Sequence, residues 1–198
     1  LLEKAGTRYV NRFSGAGIYA IYYVGAFPAC RAIVARNANG QFSQPIYVGK
    51  AVPQGSRKGG LIDEGALSDA LFDRLRIHAQ TLIEAENLDI ADFFYRYLAV
   101  DDIWIPLGET YMIETFRPLW NKILDGFGNK TPGKRRSAQY MSLWDTVHSG
   151  RGFVQELNLP KHPKSLQEIL NDIHKYLSMP DTEKASIPII QDGPGQDK

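Results

Sequence analysis

The chain has 198 residues, of which 43% are hydrophobic, and a formal net charge of +1 at neutral pH. This composition predicts one folded domain with a hydrophobic core and argues against a disordered chain or a uniform polycation. Any affinity for nucleic acid must therefore come from local clusters of charge. The longest apolar runs fall far short of the roughly 20 residues that span a bilayer, and the first residues lack the pattern of a secretory signal. The single cysteine, Cys30, cannot form an internal disulfide, which indicates an intracellular, reducing compartment.

Two segments in the first quarter of the chain have the composition of β-strands. Residues 17–24 (GIYAIYYV) and residues 45–49 (PIYVG) are rich in aromatic and β-branched residues. Residues 25–44 are too long for a tight turn, so we expect an elaborated hairpin connection with a short helix near residues 31–36. Residues 50–65 are glycine-rich and locally basic, which predicts a surface loop.

The rest of the chain predicts helices around one further strand. Leucines spaced by four and seven residues predict a helix over residues 67–86. Residues 92–100 predict a third strand, and residues 103–117 predict a helix that ends before a proline. Residues 165–178 predict an amphipathic helix, whereas the Pro- and Gly-rich tail at residues 180–198 is expected to be mobile.

These elements predict a single α+β domain over residues 1–198. We expect a small three-stranded, mostly antiparallel sheet flanked by helices, with helical and loop extensions. The core should cover about residues 15–125. A basic segment follows at residues 122–152, where six Lys or Arg accompany two acidic residues and aromatic side chains are interleaved.

Four chemically useful residues follow from these strands and the first long helix. Tyr19 and Tyr47 each lie close to a glycine in a predicted strand, where a hydroxyl can orient a phosphate or exchange a proton. Arg74 and His78 are four residues apart and share one helix face. A guanidinium suits a phosphate, and an imidazole can relay a proton near neutral pH. The alternative is that Arg74 is a solvated surface residue and His78 a core residue beside the leucines.

A further carboxylate and amide are found in residues 109–121 (ETYMIETFRPLWN). Glu109 could ligate Mg²⁺, which accepts few protein ligands and keeps several waters. Asn121 lies just past the predicted helix, where its amide could bind backbone or phosphate. Taken alone, the string also fits an ordinary amphipathic helix that is followed by a polar cap.

The ordered set of these residues resembles the GIY-YIG nuclease superfamily. That superfamily has two tyrosine-bearing strands, a helix with an arginine, a later helix with a glutamate, and an asparagine after a Pro-aromatic stretch. The Arg-x-x-x-His spacing resembles its type II restriction endonuclease branch. The resemblance covers roughly residues 15–152 and departs from the pattern in Val48, where the motif has Ile, and in the insertion between the two strands. The stretches that carry it are residues 46–51 (IYVGKA), 71–79 (LFDRLRIHA), 100–109 (VDDIWIPLGE) and 117–129 (RPLWNKILDGFGN).

The resemblance implies a role for each matched residue. Glu109 would hold a single Mg²⁺, for which Mn²⁺ can substitute, at the scissile phosphate. Arg74 would offset the charge that develops on phosphorus. Tyr19 would act as general base toward the attacking water, directly or by passing its proton to His78. Tyr47 would position water or phosphate.

The remaining implied roles concern geometry and DNA contact. Asn121 would fix the local geometry, and Lys50 could lower the pKa of Tyr19 by its charge. Sequence choice requires side chains in a DNA groove, and two locally basic regions could supply them. A solvated surface is the alternative for any one of these cations. The candidate DNA contacts are Lys50, Arg57, Lys58, Lys130, Lys134, Arg135, Arg136 and Arg151.

The resemblance also implies partners. Enzymes of this branch are homodimers that read a short palindrome in double-stranded DNA, and a GC-only site such as CCGCGG is implied, in a bacterial cytoplasm without membrane contact. Two alternatives remain. One is a structure-specific repair or homing nuclease, although such enzymes carry additional DNA-binding domains. The other is a non-catalytic DNA-binding module on the same fold, which would not need the whole set of polar residues.

Overall fold

The computed structural model describes residues 3–4 (backbone only), 12–53, 68–129 and 139–189. Its centre is an antiparallel sheet in which the strand order is β1-β4-β2-β3. The predicted three-stranded sheet is confirmed, and the two residues of β1 extend it by one short strand. The strands are β1 (Glu3–Lys4), β2 (Gly17–Tyr23), β3 (Tyr47–Ala51) and β4 (Phe93–Ala99).

Helices cover both faces of this sheet, which confirms the predicted α+β fold. The four helices predicted from the sequence correspond to α1, α2, α3 and α7, with ends that differ by a few residues. The helices in the described ranges are α1 (Arg31–Asn37), α2 (Ala70–Glu84), α3 (Ile105–Phe116), α4 (Leu119–Lys122), α5 (Leu143–Val147), α6 (Gly152–Glu156), α7 (Leu166–Ser178) and α8 (Asp181–Lys184).

The alternation of side chains along β2 divides the interior into two layers. Tyr19, Ile21 and Tyr23 point to one face, where they join the main hydrophobic core with residues of α2 and α7. Ala20 and Tyr22 point to the other face and pack in a smaller cluster that includes residues of α3. Both faces are buried because helices cover both, so the strand reads as a continuous apolar run rather than as an alternating pattern.

Gly17 begins β2 and lies directly opposite Ala99 of β4. Its φ of +156° is rare for residues with a side chain, and a Cβ atom here would collide with the carbonyl oxygen of Leu98. The first glycine of the GIY string is therefore required by the close pairing of β2 with β4.

Part of the predicted mobile tail is folded. Residues 181–189 are described, and within them Lys184 of α8 is buried, with its ammonium 5.5 Å from the centre of the Tyr176 ring. A short helix with a buried lysine therefore lies within the segment that was predicted to be mobile. Residues 190–198 lie outside the described ranges.

No helix in the described ranges is long and apolar enough to cross a membrane.

Candidate active site

The Tyr19 hydroxyl and Nε2 of His78 share a hydrogen bond of 2.6 Å. The leucines of α2 pack into the core, so the same face of that helix turns His78 toward β2. The imidazole stacks on the ring of Phe127, with centroids 4.6 Å apart, and lies 5.3 Å from the ring of Tyr47. Only 1% of Tyr19 and 2% of His78 are exposed.

Burial lowers the pKa of His78 well below its usual range, and the nearby charges of Arg74 and Arg151 lower it further. The imidazole is therefore neutral in the free protein at neutral pH. Its Nδ1 atom has no hydrogen-bond partner among the described residues. His78 is thus buried in the core beside the leucines, as the alternative interpretation of the sequence also predicted.

Arg74 lies one turn before His78 on α2. Its Nη2 donates a hydrogen bond of 3.1 Å to the carbonyl of Gly128, the residue after Phe127. The guanidinium is half-buried rather than free on the surface. Arg74, His78 and the two tyrosines of the motif therefore lie on the same side of the sheet.

Gly49 explains why a glycine follows the second tyrosine of the motif. It lies opposite Tyr19 in the pairing of β2 with β3. A Cβ atom at this position would be 2.6 Å from Cζ of Tyr19 and 2.9 Å from Cε1 of Tyr47. The absence of a side chain at Gly49 leaves the space in which the Tyr19 phenol lies against the strand.

Glu109 accepts a hydrogen bond from the Lys50 ammonium, with Nζ 2.5 Å from Oε2. Lys50 follows Gly49 directly, so its side chain emerges on the α3 side of β3. The two side chains are 39% and 18% exposed. α3 approaches the sheet closely at Gly108, where a Cβ atom would be 3.1 Å from Cδ1 of Ile18.

Asn121 is bound to the backbone of β3. Its Oδ1 accepts from the amide of Val48 at 2.8 Å, and its Nδ2 donates to the carbonyl of the same residue at 2.9 Å. The side chain is 5% exposed and Val48 is fully buried. The amide thus occupies the hydrogen-bonding position of a neighbouring strand along the edge of the described sheet.

The structure arranges the predicted catalytic residues in two groups. Tyr19, Tyr47, Arg74 and His78 lie on the α2 side of β3, whereas Glu109 lies with Lys50 on the α3 side. Four consecutive residues, Tyr47 to Lys50, contact members of both groups. β3 is the last strand in the described sheet order, and the two groups lie on its opposite faces.

A family model for the Eco29kI GIY-YIG domain matches residues 11–177. The chain belongs to this family. Eco29kI is a family of type II restriction endonucleases, so the match supports a restriction-type nuclease that binds DNA. No curated protein matches the chain.

Arg151 was predicted to contact DNA from the surface, but the structure places it in the interior. Arg151 is 3% exposed, and its Nε lies 3.2 Å from Oδ1 of Asp145. Lys122, the other cation described in the basic segment, is also buried and binds Glu114 at 2.9 Å. The structure does not support the predicted base contact, because Arg151 is buried. The prediction had assumed that a cluster of cations lies at the surface.

The other predicted DNA contacts divide simply. Lys50 is partly exposed and is engaged with Glu109 as described above. The remaining six, Arg57, Lys58, Lys130, Lys134, Arg135 and Arg136, lie outside the described residues.

Sequence reasoning missed the turn that packs over His78. Phe127 stacks on the imidazole, and Gly126 before it has φ of +105°. The Gly-Phe-Gly string at residues 126–128 was a usable signal, because glycine is typical of turns. Among the described residues, no group of three or more His, Cys, Asp or Glu side chains is placed to hold a metal ion.

Proposed function

We propose that this protein is a Mg²⁺-dependent type II restriction endonuclease, a homodimer that hydrolyses double-stranded DNA at a short palindrome. The observation that carries the proposal is the string from Tyr47 to Lys50. Within it, Gly49 accommodates the phenol of Tyr19, and Lys50 holds Glu109. Tyr19 and Glu109 thus each contact one of two successive residues of this strand, on its opposite faces, and a module that only binds DNA does not need these contacts.

The Glu109 carboxylate fits a magnesium ligand. It is partly exposed and already binds a cation, the Lys50 ammonium, and a single protein carboxylate with several waters is a usual environment for Mg²⁺. Mn²⁺ would bind the same oxygen ligand. When bound, the metal would supply stabilisation of the negative charge that develops on the scissile phosphate.

Tyr19 is the group best placed to take a proton from the attacking water. A free tyrosine has a pKa of about 10, so its oxygen accepts a proton only if its own proton has another acceptor. Nε2 of His78, 2.6 Å from the Tyr19 hydroxyl, would be that acceptor. As the water proton moves to the Tyr19 oxygen, the Tyr19 proton would move to His78. The hydroxide would form the new P–O bond while the bond to the leaving oxygen breaks, and that oxygen would take a proton from a solvent water.

The low basicity of His78 in the free protein is consistent with this path. Burial and the charges of Arg74 and Arg151 oppose an imidazolium before DNA is bound. A phosphodiester brings negative charge into the site, which offsets the two guanidinium charges and raises the basicity of the imidazole. His78 would therefore become a competent proton acceptor when the substrate arrives.

Arg74 and Lys50 supply the positive charges that would meet the phosphate. A guanidinium can donate two parallel hydrogen bonds to phosphate oxygens. Lys50 would leave Glu109 when a metal ion binds there, and its ammonium would then be available to a phosphate. Tyr47 would add a hydroxyl donor from the α2 side of the strand.

The dimer and the palindrome follow from the presence of one candidate site in each chain. Cutting both DNA strands at one position requires two sites, and a two-fold protein dimer matches a two-fold DNA sequence. We propose a GC-only six-base palindrome such as CCGCGG and action in the bacterial cytoplasm.

Digestion of a plasmid that carries CCGCGG once, with and without EDTA, tests this function. We expect one cut in Mg²⁺, no cut with EDTA, and one protein dimer by light scattering. A discrete product from a different sequence would keep the enzyme class and replace the site. A smear or cutting only of branched DNA would indicate a structure-directed nuclease, and binding without cutting would indicate a DNA-binding module.

Matched variants connect the cut to the proposed residues. Glu109→Gln should abolish cleavage, whereas Glu114→Gln removes an ion-paired carboxylate from the same helix and should not. Tyr19→Phe should lower the cleavage rate by about 100-fold or more, whereas Tyr22→Phe removes a hydroxyl from the opposite face of the same strand and should not lower it. Equal effects within either pair would contradict the assignment.

A further inference from the structure

We infer that the buried Arg151 is a positioning residue that holds the turn at residues 126–128 against the active site. This inference rests on the proposed nuclease function and adds to it a residue that does not touch the reacting groups. It also replaces the expectation, taken from local charge, that Arg151 contacts a base.

The Arg151 guanidinium is bound on several sides. Its Nε lies 3.2 Å from the Asp145 carboxylate, Nη1 donates to the carbonyl of Gly126 at 3.1 Å, and Nη2 donates to that of Phe127 at 3.5 Å. Its Cζ lies 4.6 Å from the centre of the Trp144 ring. A buried guanidinium needs such partners because its desolvation is costly, and here two of them are successive carbonyls of one turn.

The same turn contacts two catalytic candidates. The ring of Phe127 is stacked on His78, with an interplanar angle of 13°. The carbonyl of Gly128 accepts a hydrogen bond from Arg74 at 3.1 Å. Both His78 and Arg74 contact the turn, so a movement of the turn would shift both side chains. The first holds the Tyr19 hydroxyl, and the second is proposed to meet the phosphate.

Asp145 is the anchor of this arrangement. Burial raises the pKa of its carboxyl, and the Arg151 charge and the Ser142 hydroxyl, which donates to it at 2.7 Å, oppose that rise. Ser142 also caps α5 through the amide of Asp145. The carboxylate of Asp145 is thus held in place by α5. Arg151 binds this carboxylate and the carbonyls of the turn, so it fixes the turn relative to α5.

Arg151→Lys separates geometry from charge. A lysine retains the positive charge but lacks the planar fork that binds a carboxylate and two carbonyls at once. The matched control is Lys184→Met, which removes another buried cation with a carboxylate partner and an aromatic ring, Asp181 and Tyr176. Lys184 lies on α8 and contacts neither the turn nor the catalytic candidates.

Two readouts test the inference. The first is the nitrogen NMR spectrum of the His78 ring in DNA-free protein, assigned with His78→Gln. The second is the steady-state kinetics of DNA cleavage. For Arg151→Lys we expect displaced His78 ring signals and a loss in kcat of about 10- to 100-fold, as for a misplacement of about 1 Å. KM for DNA should stay close to the wild-type value, because Arg151 is buried.

The outcomes are separable. A raised KM with unchanged kcat would overturn the inference in favour of a DNA contact, and unchanged His78 signals would overturn it outright. The same displacement in Lys184→Met would show a general loss of packing and would also overturn it. If the wild-type protein cleaves no DNA, the proposed function fails, and the His78 spectrum alone decides the role of Arg151.

Asp145→Asn serves if Arg151→Lys does not fold. It keeps the guanidinium and its bonds to the turn but removes the charged anchor. We expect a smaller change in the His78 signals and in kcat, in the same direction as for Arg151→Lys. Wild-type values for both would contradict the inference.

Discussion

Replacement of Asn121 by alanine tests whether the position of β3 is needed for catalysis. The side-chain amide binds both backbone groups of Val48, at 2.8 and 2.9 Å, in a region from which water is excluded. A buried polar group that loses its partner costs about 1–3 kcal/mol. The N–H and the C=O of Val48 would both lose their partner. Because water could partly enter the cavity left by the amide, we expect the free energy of unfolding to fall by about 3 kcal/mol in all.

For a domain of this size, about 3 kcal/mol corresponds to a decrease in Tm of about 6–12 °C. The cleavage rate should also fall in the variant that is still folded. Tyr47 and Gly49 flank Val48, whose backbone groups lose their partner. The assays are thermal unfolding by circular dichroism and single-turnover cleavage at a temperature where the variant is folded.

The matched control is Asn37→Ala. Asn37 is also a buried amide, and it binds backbone groups of Tyr23 and Gln44 at 2.9–3.0 Å rather than those of β3. It should lose a similar amount of stability and keep its cleavage rate when folded. If Asn121→Ala unfolds and cleaves like the wild type, or if both variants lose cleavage equally, the reasoning about β3 is refuted.

Three further predictions follow from the same geometry. Tyr19→Phe should lower the single-turnover cleavage rate by about 100-fold or more with a native circular dichroism spectrum, and wild-type cleavage would remove Tyr19 from the proposed role. Lys50→Met should tighten Mn²⁺ binding at Glu109, measured by paramagnetic resonance, by up to about fivefold, since a partly exposed ion pair is worth about 1 kcal/mol or less; weaker binding would contradict this. Stability should fall with acidification below pH 6.5, by about 1.4 kcal/mol per pH unit for each buried histidine, because burial lowers the pKa of His148 to about 3 and the unfolded chain takes up the proton first. His148→Gln should flatten that dependence in urea titrations at pH 7 and pH 5, and an unchanged slope would refute it.

The strands could be predicted from the sequence because their burial is a local property of composition. Residues 17–23 contain three tyrosines, two isoleucines and no charged residue, as expected of a strand covered on both faces. The leucine spacing similarly predicted α2, and that helix face determines where His78 points. The spacing of Tyr19, His78 and Glu109 along the chain placed these residues on the correct elements.

The positions of the charged side chains could not be predicted in the same way. Arg151 was expected at the surface because cations cluster around it, yet its carboxylate partner lies six residues earlier and its carbonyl partners lie in a turn some 25 residues away. Lys184 was expected in a mobile tail, and it packs on a ring of α7. Both depend on tertiary neighbours, and a buried ion pair leaves no periodic signal in the sequence.

The position of β3 at the edge of the described sheet gives the site a specific vulnerability. Because strand side chains alternate between faces, a shift of pairing by one residue would exchange Tyr47 and Gly49 with Val48 and Lys50. The Tyr19 phenol would then meet a side chain instead of a glycine, and Glu109 would lose its ammonium partner. β2 fixes this register from one side only. Asn121, which binds Val48 from the other side, supplies the second constraint, so an asparagine without any role in proton transfer can still be required for catalysis.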